Sequence, residues 1–350
     1  HDALPISMRI VERNGIKIFE KLINHSHKDI VQNAMLVLGN LFSLPTTQIH
    51  KIQDYGILGN VLEMLRLVPE ERIQKAGIYL LSRVCQHQSS LNSNLVKDIT
   101  TLMTSLIDFE KDPDILRSCL YGLKELTERM SKDSPNMLFD PNLHMVLIKL
   151  LHHKDPGIVS LTIRILGNLV SIGYFEDLSS LLAAEGFISR VLELANSPDK
   201  SVKRDALWLI SNVVVEAENG IDAITSSDKT VKLIVSDSEN PDPEIRKAAF
   251  LALIGTTSQA NTFQMEKLVE AGFFRSIMST LERGEFLPDA LEGIKNVLYA
   301  GQMKGPNNTN AFLNYVKEAN LEKRIKDLIK HPDQNISELA AEIDHSYFKV

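Results

Sequence analysis

The sequence predicts an all-α protein built from stacked repeats of about 42 residues. Three observations lead to this prediction. Apolar residues recur with the period of a helix, sustained strand-like alternation is absent, and seven related helical segments follow one another at spacings of 42 to 44 residues. One such repeat cannot bury its apolar face alone. We therefore expect about eight repeats that share a continuous core and wind into a right-handed superhelical solenoid.

The most regular feature of each repeat is a long third helix. Its best-preserved copy, KRDALWLISNVVV (203–215), contains the only tryptophan, Trp208, with Asn212 four residues later. Related segments are QNAMLVLGNLF (32–42), KAGIYLLSRVC (75–85), RSCLYGLKELT (117–127), SLTIRILGNLV (160–170), RKAAFLALIGT (246–256) and PDALEGIKNVL (288–298). We call the places equivalent to Trp208 and Asn212 the Trp position and the Asn position. In the other segments the Asn position holds, in chain order, Asn40, Arg83, Glu125, Asn168, Ile254 and Asn296.

Turn residues separate the helices of each repeat at matching places. A Pro- or Asp-containing turn precedes each third helix, as in DPDIL (112–116) and DPGIV (155–159), and its Asp or Ser is expected to cap the helix start. An amphipathic middle helix comes before that turn. Several middle helices follow a glycine, for which a left-handed backbone at a sharp helix-to-helix corner is expected: Gly15, Gly56, Gly186 and Gly272.

The predicted repeats account for nearly the whole chain. Residues 1–9 are uninformative about the fold, and residues 10–350 are predicted to form a single solenoid because no Gly/Ser linker or change of composition divides them. The last segment, from about 307 to 350, departs slightly from the pattern and is predicted to be a terminal capping repeat.

Composition excludes several classes of protein. The chain is 44% hydrophobic and 24% charged, and no apolar run approaches the roughly 18–20 residues of a membrane span, so membrane insertion is not expected. A net charge of −7 disfavours direct nucleic-acid binding and is compatible with a basic partner. Cys85 and Cys119 are isolated within apolar helical patterns and are predicted to be buried thiols.

No pattern typical of an enzyme is present. The sequence lacks a phosphate-binding loop, a dinucleotide glycine pattern and a nucleophile elbow, so we expect a binding protein with no catalytic residue, cofactor or metal. The histidine pairs His25/His27 and His152/His153 have no third ligand at metal spacing and are predicted to lie on the surface.

The segment 203–215 divides into two faces. At 100° per residue, Asp205, Trp208 and Asn212 share a narrow arc, and the apolar residues Leu207, Ile210 and Val214 point the opposite way. Two interpretations of Trp208 stay open: a core aromatic residue, or part of a binding surface. The asparagines at the Asn position can likewise either hold a ligand or join adjacent repeats by hydrogen bonds.

Particular residues of these helices resemble the importin alpha family of armadillo-repeat proteins. DALWLISNVVV resembles the family's third helix, with Trp followed four residues later by Asn. LTIRILGNLVSIG resembles its central repeat, where Arg164 stands at the Trp position and Asn168 is kept, and PDALEGIKNVLYAGQ and YVKEANLEKRIKDLIKHPDQNISELAAEIDHSYF resemble its last two repeats. The resemblance implies an armadillo fold for a diverged or N-terminally truncated member.

The resemblance also implies a peptide-binding groove on the concave side. In the family, indole faces pack the stems of Lys and Arg, and Asn amides hold the peptide backbone. The residues that match this site are Arg164, Asn168, Val170, Asp205, Trp208 and Asn212, with Asn40 in a second site. Other places differ from the family pattern, and an arginine at position 83 would repel a basic peptide: Leu36, Tyr79, Arg83, Tyr121, Glu125, Lys247, Phe250 and Ile254.

The function implied by the resemblance is that of an adaptor in nuclear protein import. Such a protein binds basic nuclear localisation peptides of cargo proteins and works in the cytoplasm and the nucleus. Further implied partners are importin beta or an export receptor, through regions outside this chain or through the C-terminal repeats. The diverged positions leave an alternative open, in which the solenoid is a non-transport scaffold within a larger assembly.

Overall fold

In the computed structural model, residues 15–42, 56–68, 70–86, 91–130, 143–173, 181–182, 184, 186–217, 219–305 and 309–348 are described. The segment 1–9 lies outside these residues. The chain divides into two compact units, His1–Glu176 and Asp177–Val350, which we call the N-terminal and the C-terminal unit. The prediction of a single solenoid over residues 10–350 stays a prediction.

The described part of the N-terminal unit contains eight helices and no strand. They are α1 (Ile16–Ile23), α2 (Lys28–Leu41), α3 (Ile57–Leu67), α4 (Glu71–Cys85), α5 (Ser93–Leu106), α6 (Pro113–Glu128), α7 (Leu143–Leu150) and α8 (Pro156–Ser171). The long helices α2, α4, α6 and α8 pack on one another in that order, and each is also packed against the helix that precedes it. Four repeats are therefore present in this unit.

The C-terminal unit continues the same pattern. Its helices are α9 (Phe187–Ala195), α10 (Lys200–Glu216), α11 (Gly220–Thr225), α12 (Asp228–Asp237), α13 (Pro243–Gln259), α14 (Thr262–Glu270), α15 (Phe273–Arg283), α16 (Leu287–Lys304), α17 (Leu313–Glu318), α18 (Leu321–Leu328) and α19 (Gln334–Ile343), followed by a π turn over Asp344–Phe348. Here α10, α13, α16 and α19 pack in order. The seven third helices occur where the repeat spacing predicts them, and α19 adds an eighth within the segment predicted to be the capping repeat.

The predicted capping turns are present at most third helices. Asp112, Asp155, Asp199, Asp242 and Asp333 each accept backbone N–H bonds at the start of their helix, which satisfies donors that would otherwise be exposed. The caps of α2, α4 and α16 are exceptions, since His27, Glu70 and Phe286 make no such bond.

Ion pairs add a second connection at these turns. The basic residue near the start of one third helix pairs with the capping aspartate of the next repeat: Lys75 with Asp112 (2.9 Å), Arg117 with Asp155, and Lys200 with Asp242 (3.1 Å). In these three pairs of neighbouring repeats, the polar turn thus adds to the contacts of the apolar core.

The corner glycines follow the prediction at three of four places. Gly56, Gly186 and Gly272 have φ values of 67°, 77° and 105°, in the left-handed region that favours glycine. Gly15 has φ −61° and ψ −20°, so the prediction of a left-handed corner there was wrong. Residue 15 enters α1 in an ordinary helical conformation.

Two side-chain predictions have opposite outcomes. Cys85 and Cys119 are fully buried, and burial raises the pKa of the Cys119 thiol to about 12, so both thiols are structural as predicted. His153, predicted to be on the surface, is instead 7% exposed. Its Nδ1 accepts the Asp155 backbone N–H (3.0 Å), and its ring packs edge-on against Phe109, so this histidine is part of a turn.

Along the described ranges, no helix is long and apolar enough to cross a membrane. The same residues contain no group of three His, Cys, Asp or Glu side chains that could hold a metal ion.

Candidate functional site

Helix α10 carries the Trp and Asn pair on which the predicted binding site is centred. Trp208 and Asn212 are both partly exposed and lie one helical turn apart, while Leu207, Ile210 and Val214 on the opposite face are buried. The two faces predicted from the sequence are therefore real. Asn212 also has an interaction within the protein.

Asp205 does not join Trp208 and Asn212 on an open surface. It is 4% exposed, and its Oδ1 accepts bonds from Nε (2.8 Å) and Nη2 (2.7 Å) of Arg204. The helical periodicity places Asp205 on the same side of α10 as Trp208, but neighbouring groups bury its side chain. Its assignment as a peptide contact is corrected, because a buried carboxylate that is already paired offers no free charge to a ligand.

The next repeat of the C-terminal unit does not extend the surface of Trp208. Phe250, at the Trp position of α13, is fully buried and stacks on Phe286 with ring centroids 5.0 Å apart. Ile254 at the Asn position has no hydrogen-bonding group, and Lys247 is exposed. The aromatic residue in this repeat therefore belongs to the core.

Asparagines at the Asn position connect neighbouring third helices. Asn168 is 7% exposed and donates from Nδ2 to Thr127 Oγ1 (2.9 Å) on the preceding third helix. Asn296 makes the corresponding bond to Thr257 (3.5 Å). Of the two interpretations left open by the sequence, the structural one describes both residues.

The remaining predicted residues of α8 are also occupied or covered. Arg164 donates from Nη2 to Glu128 Oε1 (2.8 Å), a salt bridge across adjacent repeats. Val170 is 0% exposed and lies in the core, so its assignment as a peptide contact is corrected as well.

In the N-terminal unit, the Trp and Asn positions hold a cluster of aromatic and charged side chains. The exposed Asn40 accepts at Oδ1 from the Tyr79 hydroxyl (2.8 Å), and the Arg83 guanidinium lies over the rings of Tyr79 (5.1 Å) and Tyr121 (5.5 Å). The Tyr121 hydroxyl accepts from Gln86 Nε2 (2.6 Å). These contacts run from α2 to α6 across three repeats.

A buried ion-pair group completes the cluster. Lys124, 8% exposed, bonds Oε1 of Glu125 (2.9 Å) and Oε2 of Glu128 (3.0 Å), and Glu125 Oε2 also contacts Arg129 (3.4 Å). Burial acts to raise the pKa of Glu125, but the hydrogen bond and charge of Lys124 outweigh it and hold that pKa below its usual value. The same pairing raises the pKa of Lys124.

Sequence reasoning did not single out Lys124 and Glu128. Their signal was the Lys-x-x-x-Glu spacing on one helix face, which is typical of a pair within a helix. The link from Glu128 to Arg164 crosses between repeats, and a single helix pattern cannot indicate it.

The two units also differ in charge. Residues 1–176 contain 19 Lys and Arg and 19 Asp and Glu, whereas residues 177–350 contain 19 and 26. The entire net charge of −7 is therefore carried by the C-terminal unit, which contains Trp208. The C-terminal unit therefore attracts an approaching cation. The N-terminal unit has no net charge and exerts no such attraction.

Comparison with known proteins places the chain among armadillo-repeat proteins. No protein-family profile matches it. Importin subunit alpha-1b of rice (Oryza sativa subsp. japonica) is 23% identical over 352 residues, which cover 97% of this chain and 64% of the rice protein. Importin subunit alpha-4 of Arabidopsis thaliana is 23% identical over 349 residues, covering 97% and 63%. The chain thus spans a little under two thirds of the length of these relatives.

Solved structures agree with the sequence comparison. An engineered protein superimposes with a TM-score of 0.72 at 18% identity, over 97% of this chain and 90% of its own. A designed armadillo repeat protein in complex with the peptide (KR)4 gives 0.59 at 15% identity, over 69% and 99%. The predicted fold class is confirmed: the chain has the armadillo-repeat fold, and its sequence is similar to those of importin alpha subunits.

Proposed function

We propose that the chain is an importin-alpha-like adaptor that binds an extended basic peptide, such as the nuclear localisation signal of a cargo protein. The observation that carries the proposal is the partly exposed Trp208 one turn from Asn212, in the unit with all the net negative charge. An indole face attracts a Lys or Arg cation and packs its methylenes, and an amide can both donate to and accept from a peptide bond.

Two comparisons support this proposal without extending to every residue. The importin alpha relatives match the chain over nearly all its length, and the neighbour bound to (KR)4 indicates that this fold can hold a basic peptide. The contact set we propose is small: Trp208 and Asn212, with Asn40 as a further candidate in the N-terminal unit. To contact a peptide, Arg164 would first have to break its salt bridge with Glu128, and Asn168 its hydrogen bond with Thr127.

The similarity to importin alpha subunits is also the basis for the rest of the proposed adaptor function. A protein of this kind would move between cytoplasm and nucleus and would contact importin beta or an export receptor, in regions outside this chain or in the C-terminal repeats.

Titration of Trp208 fluorescence with a (KR)4 peptide tests the proposal directly. Because this is the only tryptophan, any change in emission reports on its surroundings. We expect a saturable change. Replacing Asn212 with Ala should weaken the complex by about 1–3 kcal/mol, since a bound peptide group would lose its partner.

Asn296→Ala is the matched control for Asn212→Ala. It removes the same amide from the same position of another repeat in the C-terminal unit, where the amide bonds Thr257. Its affinity for (KR)4 should equal that of the wild type. Unchanged emission together with no heat of binding at millimolar peptide would refute the adaptor proposal.

A second candidate function is a scaffold within a larger assembly. In the N-terminal unit, side chains at the Trp and Asn positions already bond to other residues of the same unit, as at Asn40, Tyr79 and Glu125. This observation favours the scaffold. Isolation of the chain in a complex of fixed stoichiometry that does not bind (KR)4 would favour the scaffold. Binding of (KR)4 in the same preparation would favour the adaptor.

A further inference from the structure

Arg83 in the N-terminal unit differs from the other cations of its surroundings. Its guanidinium lies over Tyr79 and Tyr121, and its Nε is buried. Among the residues that the structure describes, this Nε has no hydrogen-bond partner and the guanidinium has no carboxylate partner. Removing a cation from water without an anionic partner is costly, and ring faces replace only part of the lost hydration.

The nearby carboxylates are already committed to other cations. Both oxygens of Glu125 are engaged, with Lys124 and Arg129, and both oxygens of Glu128 are engaged, with Arg164 and Lys124. Every positive charge of this cluster except Arg83 is therefore paired within the unit. Neither of these two carboxylates can pair with Arg83 without leaving a cation that it already holds.

The two rings hold the Arg83 guanidinium in a fixed place. Tyr79 is bonded to Asn40 and lies so close to α2 that a Cβ on Gly39 would be 2.6 Å from its ring. Tyr121 is bonded to Gln86. An arginine fixed in this way loses little freedom when an anion binds, and its planar fork matches a carboxylate.

We propose that Arg83, between Tyr79 and Tyr121, binds the side-chain carboxylate of an acidic residue in an extended partner peptide. The exposed Asn40 uses Oδ1 for Tyr79, and in the described residues no acceptor is bonded to its Nδ2, which suits it to a peptide carbonyl. The N-terminal unit, with 19 charges of each sign, does not repel such a segment.

This site goes beyond the proposed function and does not depend on it. The central basic-peptide contacts, Trp208 and Asn212, are on α10 in the C-terminal unit, and Arg83 is on α4 in the N-terminal unit. Only Asn40, the further candidate for the basic peptide, also belongs to the Arg83 site. A chain that lacks one of the two activities can still have the other.

The test is the affinity of the whole chain for a fluorescein-labelled hexaglutamate peptide, measured by anisotropy at about 50 mM salt, where charge contacts are only weakly screened. We expect saturable binding that Arg83→Gln weakens at least about tenfold, the usual cost of losing a charge-assisted hydrogen bond. Arg83→Lys, which keeps the charge but loses the planar fork, should fall between the two.

Arg117→Gln is the matched control. It removes the same charge from the same unit, at an exposed residue that is paired with Asp155 and Asp114. It should change the affinity by less than about twofold, as expected for a distant screened charge. Circular dichroism spectra of all variants verify that they are folded.

Three results would overturn the proposal. They are no binding of hexaglutamate to the wild type, equal weakening by Arg83→Gln and Arg117→Gln, and displacement of the peptide by an equal concentration of inorganic phosphate. The (KR)4 titration of Trp208 is run on the same samples. A failure of the acidic site is thereby distinguished from a failure of the basic site.

Discussion

The third helices of the N-terminal unit and helix α10 of the C-terminal unit contrast at equivalent places. In the N-terminal unit, Tyr79 and Tyr121 at the Trp position are hydrogen-bonded to Asn40 on α2 and to Gln86, the residue that follows α4. In α10, Trp208 is partly exposed, and in the described residues no aromatic ring or cation contacts its indole.

The difference teaches what decides the role of a repeat position. The backbone place is the same in each repeat, but a side chain that finds a partner on the next third helix becomes part of the connection between repeats. One that finds none stays available to a ligand. Three predictions test this contrast.

The largest effect is expected from truncating Phe250, the buried counterpart of Trp208. Phe250→Ala should lower the free energy of unfolding by about 3–5 kcal/mol, because it leaves a cavity beside Phe286. Trp208→Ala should cost less than half as much, since its side chain is partly exposed. Urea unfolding followed by circular dichroism measures both. Equal losses would mean that Trp208 is a core residue and would remove the basis of the contrast.

The sequence was sufficient to predict the repeats but not to predict which residues of the candidate site are accessible. Spacing, proline and aspartate are local signals, so seven third helices could be located from them. A helical wheel gives the direction of Asp205 and Val170 but not their burial in the folded chain, and both are buried. The bond of Asn168 to Thr127 likewise depends on how two helices align, a distance of 41 residues along the chain.

An intermediate effect is expected in the buried ion-pair group of the N-terminal unit. Glu125→Gln should destabilise the protein by about 1–3 kcal/mol, because Lys124 stays buried with only Glu128 as a partner. Urea unfolding measures the change.

Glu128→Gln is the control for Glu125→Gln. The Glu128 side chain is 31% exposed, so losing its charge should cost less than about 1 kcal/mol. The opposite ranking would show that the connection between repeats relies on the exposed end of the group and not on its buried end.

The smallest effect is expected at the turn where Lys75 meets Asp112, a contact that joins repeats outside the third-helix positions. The hydrogen bond from Lys75 lowers the pKa of Asp112 below its usual value. Its stabilising contribution is therefore present above the unfolded-state pKa of about 3.9, and it is lost as the pH falls through the lower folded-state pKa.

Asp112→Asn isolates this charge, because Asn caps a helix as well as Asp does. Urea midpoints measured from pH 7 down to about pH 2 should fall more steeply for the wild type than for Asp112→Asn below about pH 4. The two proteins should converge at the acidic end of the range. Parallel curves would mean that the contact with Lys75 does not stabilise the fold, which would leave the apolar core and the third-helix contacts to connect these two repeats.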